Sequence, residues 1–252
     1  MDYTQNCIIY QLSLDYISMV QFTIENRLNS DHPNFKRVIE IAEEIISENQ
    51  VLTLDKLYKR AKRILKIPSP GLKSIIQYLV NKKILVDQSR FTRVSVLSNP
   101  YRKMLYSIVC NNIGVHLSAV RKLLQNNDSN MGIGQLLWHV DMLVKFDYIK
   151  SIKVGNFLIL LPIKINDDYG RICFFFRDEL NRSILKLLNS KGQLKRSEIH
   201  KILNESRESI YYHVKNLIGH ELLLISDNSI IKIHPNKAKT LELIINRGEF
   251  II

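Results

Sequence analysis

The run from Arg182 to His234 constrains this chain most, because helical spacing passes into strand alternation within it. Ile184, Leu185, Leu187 and Leu188 cluster at helical spacing, and a Gly192-Gln193 break follows. Ile199, Ile202 and Leu203 give a second, short helix. After Asn204-Glu205-Ser206, Ile210, Val214 and Leu217 recur at i, i+4 and i+7, the buried stripe of a third helix. Leu222–Ile225, a polar Asp227-Asn228-Ser229 turn and Ile230–Ile233 then predict a two-stranded hairpin.

Three helices followed by a β-hairpin is the winged form of the helix-turn-helix. The same pattern recurs twice upstream, so the predicted fold class is mainly α with small β-hairpins (α+β), three such units in series. The first unit covers 35–99. Val38, Ile39, Ala42, Ile45 and Ile46 mark its first helix, and Thr53 or Asp55 caps the next. Ser69-Pro70 opens the third, which buries Leu72, Ile75, Ile76 and Leu79. Ile84–Val86 and Phe91–Leu97 read as its wing. The second unit covers 100–163, with a polar loop at Asn126–Asn130 and a hairpin turn at Val154-Gly155-Asn156. A linker is expected over 164–176, the third unit over 177–235, and a helix or tail over 236–252. Residues 1–34 read as an apolar extension, with strand and helix both open.

Charge is distributed unevenly. The chain carries a net +12, yet residues 50–103 alone hold 13 basic and two acidic side chains. Residues 1–49 hold three basic and eight acidic ones. A segregated basic block is the footprint of a phosphate backbone or an anionic surface. It coincides with the first helix-turn-helix frame. There Ser69, Lys73, Ser74 and Gln77 are expected to face base edges. Lys56, Lys59, Arg60 and Arg63 on the preceding helix, with Arg90 and Arg93 on the wing, are expected to meet phosphates. The third unit adds Arg207, Tyr211, Tyr212 and Lys215. The second is different: its third helix would expose Ile133, Leu137 and Trp138 with Asp141, a surface suited to a protein interface rather than DNA.

Asn112-Ile113-Gly114-Val115-His116 follows the first helix of the second unit. Aromatic-His pairs, Trp138-His139 and Tyr212-His213, lie in both later third helices. Over about 100–234 the chain resembles archaeal tandem winged-helix transcriptional regulators, whose turn after the first helix carries Pro where Ile113 stands. The first unit resembles a generic winged helix. The resemblance implies a cytoplasmic, DNA-binding transcription regulator.

Other classes fit less well. Cys7, Cys110 and Cys173 are far apart, which suits a reducing cytosol and forms neither a zinc site nor a disulfide framework. His116, His139 and His213 stand beside apolar residues and read as structural histidines. No phosphate loop, dinucleotide fingerprint, zinc-protease helix or nucleophile elbow occurs, so no enzyme, metal or cofactor is expected. The expected partners are double-stranded DNA and a second copy of the chain, with no membrane. The rival reading is a winged-helix protein-interaction scaffold, like general transcription factors or membrane-sorting complexes. RNA binding would want stacking platforms, for which only Tyr211 and Tyr212 qualify.

Overall fold

The computed structural model describes residues 32–125, 131–226 and 229–247. Most of the expected 1–34 extension, the 126–130 loop, two residues of the 227–229 turn and the end of the 236–252 tail lie outside them. Among the described residues the protein is α+β, with two small three-stranded sheets. It divides into two compact units, one formed by 1–111 with 124–150 and the other by 112–123 with 151–252.

The first unit opens with α1 (Pro33–Ser47), α2 (Leu54–Ile64) and α3 (Ser69–Asn81). Their apolar stripes meet in one core: Val38, Ala42, Leu57, Ala61, Leu72 and Leu79 are all inaccessible to solvent. Each helix start has its own device. His32 Nδ1 accepts the Asn34 N–H at 3.2 Å ahead of Pro33. Thr53 Oγ1 accepts from Lys56 N, and Asp87 Oδ1 accepts from Leu54 N at 3.0 Å, so α2 is capped from both near and far in sequence. A cap of this kind contributes about 1 kcal/mol. α3 has Pro68 at its N-cap and no side-chain cap, so Ser69 is the first residue of the helix rather than its N-cap.

The expected wing strand over Phe91–Leu97 is instead a short helix, α4 (Arg93–Val96). Thr92 and Ser95 explain the difference, because each hydroxyl accepts the other's backbone N–H in a capping box. What remains of strand pairing is the bridge between Leu52 and Ser89. Then come α5 (Pro100–Asn111) and α7 (Ile133–Lys145), which bury Leu105 and Val109 against Leu136, Val140 and Leu143. Arg102 is buried between them and donates from Nε to the Val96 carbonyl.

In the second unit β1 (Val115–His116) pairs antiparallel with β3 (Phe157–Pro162), whose other neighbour is β2 (Ile149–Val154). α6 (Leu117–Gln125) follows β1 directly, and His116 Nδ1 serves its first turn, facing Ser118 Oγ and accepting from Ala119 N. The stretch expected as a linker holds α8 (Asp167–Phe176). Asn166 caps it, and burial of Ile172, Cys173, Phe175 and Phe176 fixes it in the core. Next come α9 (Glu179–Lys191), α10 (Arg196–Leu203) and α11 (Arg207–Gly219). The second sheet is β4 (Gln193–Lys195), β6 (Ile230–Ile233) and β5 (Leu223–Ile225). α12 (Pro235–Arg247) repeats the α1 start: His234 Nδ1 accepts from Asn236 N, ahead of a proline.

Candidate nucleic-acid interface

The sequence of α2 sorts by helical period into a buried and a charged side. Leu57 and Ala61 sit in the core, which turns Lys56, Lys59, Lys62 and Arg63 outward, all exposed. α3 crosses this helix with Leu72, Ile76 and Leu79 inward and Lys73, Ser74 and Gln77 outward. The two outward sides carry no acidic residue except Asp55, which pairs with Lys59 at 2.7 Å. This surface therefore combines flanking cations with a helix of short polar groups. A major-groove reader needs that combination, since phosphate contacts position and polar side chains read base edges.

The structure separates the candidates by what they already hold. Arg60 donates to Glu48 at 2.9 Å and approaches Glu44 at 3.4 Å, fastening α2 to α1. Arg93 donates to the carbonyls of Lys82 at 3.1 Å and Asp147 at 3.4 Å, and its guanidinium lies 5.2 Å from the Tyr148 ring centroid. Tyr148 returns a bond of 2.7 Å to the Arg93 carbonyl. These two arginines act first as fasteners of the first unit. Arg90 is exposed beside the turn at Gln88, whose φ of 54° is left-handed. Ser74 Oγ donates to the Pro70 carbonyl at 3.0 Å and Gln77 Nε2 donates to Asn81 at 2.8 Å, so both polar groups are held on the outward face of α3.

Tyr58 and Lys62 were not among the sequence candidates. Tyr58 reads as a core position by spacing, yet it is only half-buried. Lys62 Nζ and Lys73 Nζ lie 5.9 and 5.8 Å from its ring centroid. The signal was present in the sequence as the i, i+4 spacing of Tyr58 and Lys62, which places the two on one helix face.

In the second unit α11 presents Arg207, Tyr211, Tyr212 and Lys215 outward, with Tyr212 68% exposed. Arg196 on α10 stacks over Tyr211 at 5.4 Å. Glu205 and Glu208 stand at the start of the same helix, so its charge is mixed. The histidine of its aromatic-His pair is structural: His213 Nδ1 meets Asn181 Oδ1 at 2.9 Å. His139 of the first unit is buried, and its Nδ1 has no hydrogen-bond partner among the described residues. Burial and then the Arg102 charge hold its pKa below the ordinary imidazole value, so His139 is neutral near pH 7. His116 is lowered likewise by burial, then by Arg177 and Lys122, which keeps Nδ1 available as a cap acceptor.

α7 leaves Ile133, Leu137 and Trp138 exposed at 49%, 39% and 48%. Trp138 rests against the Arg102 guanidinium at 5.6 Å and the Phe91 ring at 6.5 Å. Among the described residues no helix is long and apolar enough to cross a membrane, and no group of three His, Cys, Asp or Glu is placed to hold a metal ion.

No family model matches the chain. In sequence it is similar to a helix-turn-helix type of transcriptional regulator. That relative is an uncharacterized HTH-type transcriptional regulator of the archaeon Methanocaldococcus jannaschii, 29% identical over 175 residues. The match takes in 65% of this chain and 41% of the relative, so the chain spans about two-fifths of the length of the curated relative it matches.

Proposed function

We propose that this chain is a double-stranded DNA-binding transcriptional regulator built of three helix-turn-helix units in series, the later two winged, with the first unit carrying most of the affinity. The observation that supports it best is the α2–α3 surface, where Lys56, Lys59, Lys62, Arg63 and Lys73 stand exposed around the polar face of α3. Ser69, Lys73, Ser74 and Gln77 read base edges in this scheme, and Lys56, Lys59, Arg63 and Arg90 meet phosphates. Arg60 and Arg93 serve by holding α2 and the Arg90 turn in place. Arg207, Tyr211, Tyr212 and Lys215 of α11 form a second, weaker contact. The similarity to an archaeal helix-turn-helix regulator favours this reading over a scaffold.

Binding of a mixed-sequence duplex by the full chain, followed across salt concentration, tests it. Each neutralised phosphate contributes about −0.9 to the slope of log K against log salt. With four or five cations engaged, a slope of roughly −4 is expected. Absence of binding at about 50 mM salt would retire the regulator in favour of the protein scaffold.

The face of α7 supports one further part of this reading, a protein contact through Ile133, Leu137 and Trp138 with a second copy of the chain. Two-fold pairing would present two reading helices to two half-sites. Under that arrangement the wild type has the mass of a dimer in solution, and Leu137→Lys with Asp141→Lys yields the monomer. An unchanged mass for the variant would remove α7 from the interface.

A further inference from the structure

We infer that Tyr58, Lys62, Ser69 and Lys73 form a single phosphate clasp at the junction of α2 and α3, taking one backbone phosphate of a DNA duplex. The inference rests on the DNA-binding reading, adds Tyr58 and Lys62 to its contacts, and moves Ser69 and Lys73 from the base edges to the phosphate backbone, leaving Ser74 and Gln77 to read bases.

Two of the cations near this junction have acidic partners. Lys59 pairs with Asp55, and Arg60 with Glu44 and Glu48. Lys62 and Lys73 have none: no described carboxylate lies within ion-pair distance of either. They nevertheless come from different helices to the same place, each with its ammonium just under 6 Å from the Tyr58 ring centroid. Two like charges gathered on one ring repel each other. The electron-rich face of the phenol offsets part of that repulsion, and an anion set between them would reverse its sign. The Tyr58 hydroxyl belongs to the same cluster. Hydrogen bonding with Ser69 draws its pKa below the ordinary tyrosine value against the opposing effect of burial, and the charges of Lys62 and Lys73 add to the lowering. Two ammonium groups and two hydroxyls are thus gathered about Tyr58, and a tetrahedral phosphate has the acceptor oxygens to satisfy them.

A phosphodiester in a polymer fits better than a free anion. Lys62 and Lys73 are exposed, so a free ion would gain no enclosure. A duplex anchored at this point would bring its neighbouring phosphates toward Lys56, Arg63 and Lys66, which are also exposed. Because Ser69 and Lys73 belong to α3 itself, the clasp would set the register of that helix on the duplex.

The test is duplex binding by the full chain, measured by fluorescence anisotropy across salt, for the wild type, Lys62→Gln, Lys73→Gln, the double variant and Tyr58→Phe. Lys145→Gln, at the far end of α7, is the control. Each single lysine variant is expected to weaken binding about threefold to tenfold at about 100 mM salt. Since both lysines meet one phosphate, the double variant flattens the salt slope by about one rather than about two. Tyr58→Phe keeps the ring beneath both ammonium groups and removes only a hydrogen bond. It should weaken binding about fivefold and leave the slope unchanged. Wild-type binding with single variants within twofold of it overturns the clasp alone. A double variant that flattens the slope by about two assigns the lysines to separate phosphates and also overturns it. A wild type that binds no duplex overturns the clasp and the DNA-binding reading together.

Discussion

Reversing three charges at once, Lys59→Glu, Arg63→Glu and Lys73→Glu, is expected to weaken duplex binding at least a hundredfold at about 100 mM salt. Each substitution removes a cation from the phosphate backbone and places an anion there. At an exposed site a unit charge about 4 Å from a phosphate is worth on the order of 1 kcal/mol in water, and more where the groove excludes solvent. Three reversals, each a swing of two charges, therefore remove roughly 3–6 kcal/mol, a factor of at least 10². The fold should tolerate them, because all three side chains are exposed. The Lys59–Asp55 pair is lost and a like-charge pair replaces it, at a few tenths of a kcal/mol. The Arg63→Glu change puts a carboxylate in the last turn of α2, where it opposes the helix dipole by about as much. A melting temperature within a few degrees of wild type would show that the loss belongs to binding. Affinity within fivefold of wild type would move the DNA contact off α2 and α3.

Much of this face was legible in the sequence because it depends on local order. Helical period alone sorts Leu57 and Ala61 from Lys56, Lys59 and Arg63, and the structure keeps that sorting. Period does not say what an outward arginine holds. Arg60 and Arg93 share the charge run with the exposed cations, yet their partners are Glu44, Glu48, Asp147 and Tyr148, brought near only by the fold. Tyr58 was passed over for the opposite reason. Its spacing assigned it to the core, and the two ammonium groups at its ring come one from its own helix and one from the next. The missed helices share a cause. Phe91–Leu97 and 164–176 are too short or too apolar to show a stripe, so their state is settled by caps at Thr92 and Asn166 and by tertiary burial. The His-Pro-Asn starts of α1 and α12 were visible as sequence, but an imidazole acting as N-cap acceptor lies outside the usual Ser, Thr, Asp and Asn signal.

The largest loss of stability is expected from Gly114→Val. Gly114 lies in the turn Asn112-Ile113-Gly114-Val115-His116, and its neighbours there are already committed. The Ile113 carbonyl accepts from Arg177 Nη2 at 3.1 Å, Val115 is buried in β1, and His116 caps α6. Gly114 has φ of +76°, a conformation that a β-branched residue adopts only under strain. A Cβ at this position would lie 2.6 Å from the Gly170 carbonyl oxygen and 2.9 Å from the Phe174 nitrogen. Both are backbone atoms of α8, so no side-chain rotation relieves the overlap. Gly170 in turn sits with no room before Leu161 of β3, so α8 cannot back away without disturbing the sheet. Strain and overpacking together cost about 3–5 kcal/mol, a fall in melting temperature on the order of 10 °C. Gly134→Ala is the contrast: its φ is ordinary, a Cβ there meets nothing within 4 Å, and it lies inside α7. That change is expected to stabilise by about 0.5–1 kcal/mol. Thermal melts followed by circular dichroism read both. If Gly114→Val melts within about 2 °C of the wild type, the close approach of the turn to α8 is not what fixes a glycine there.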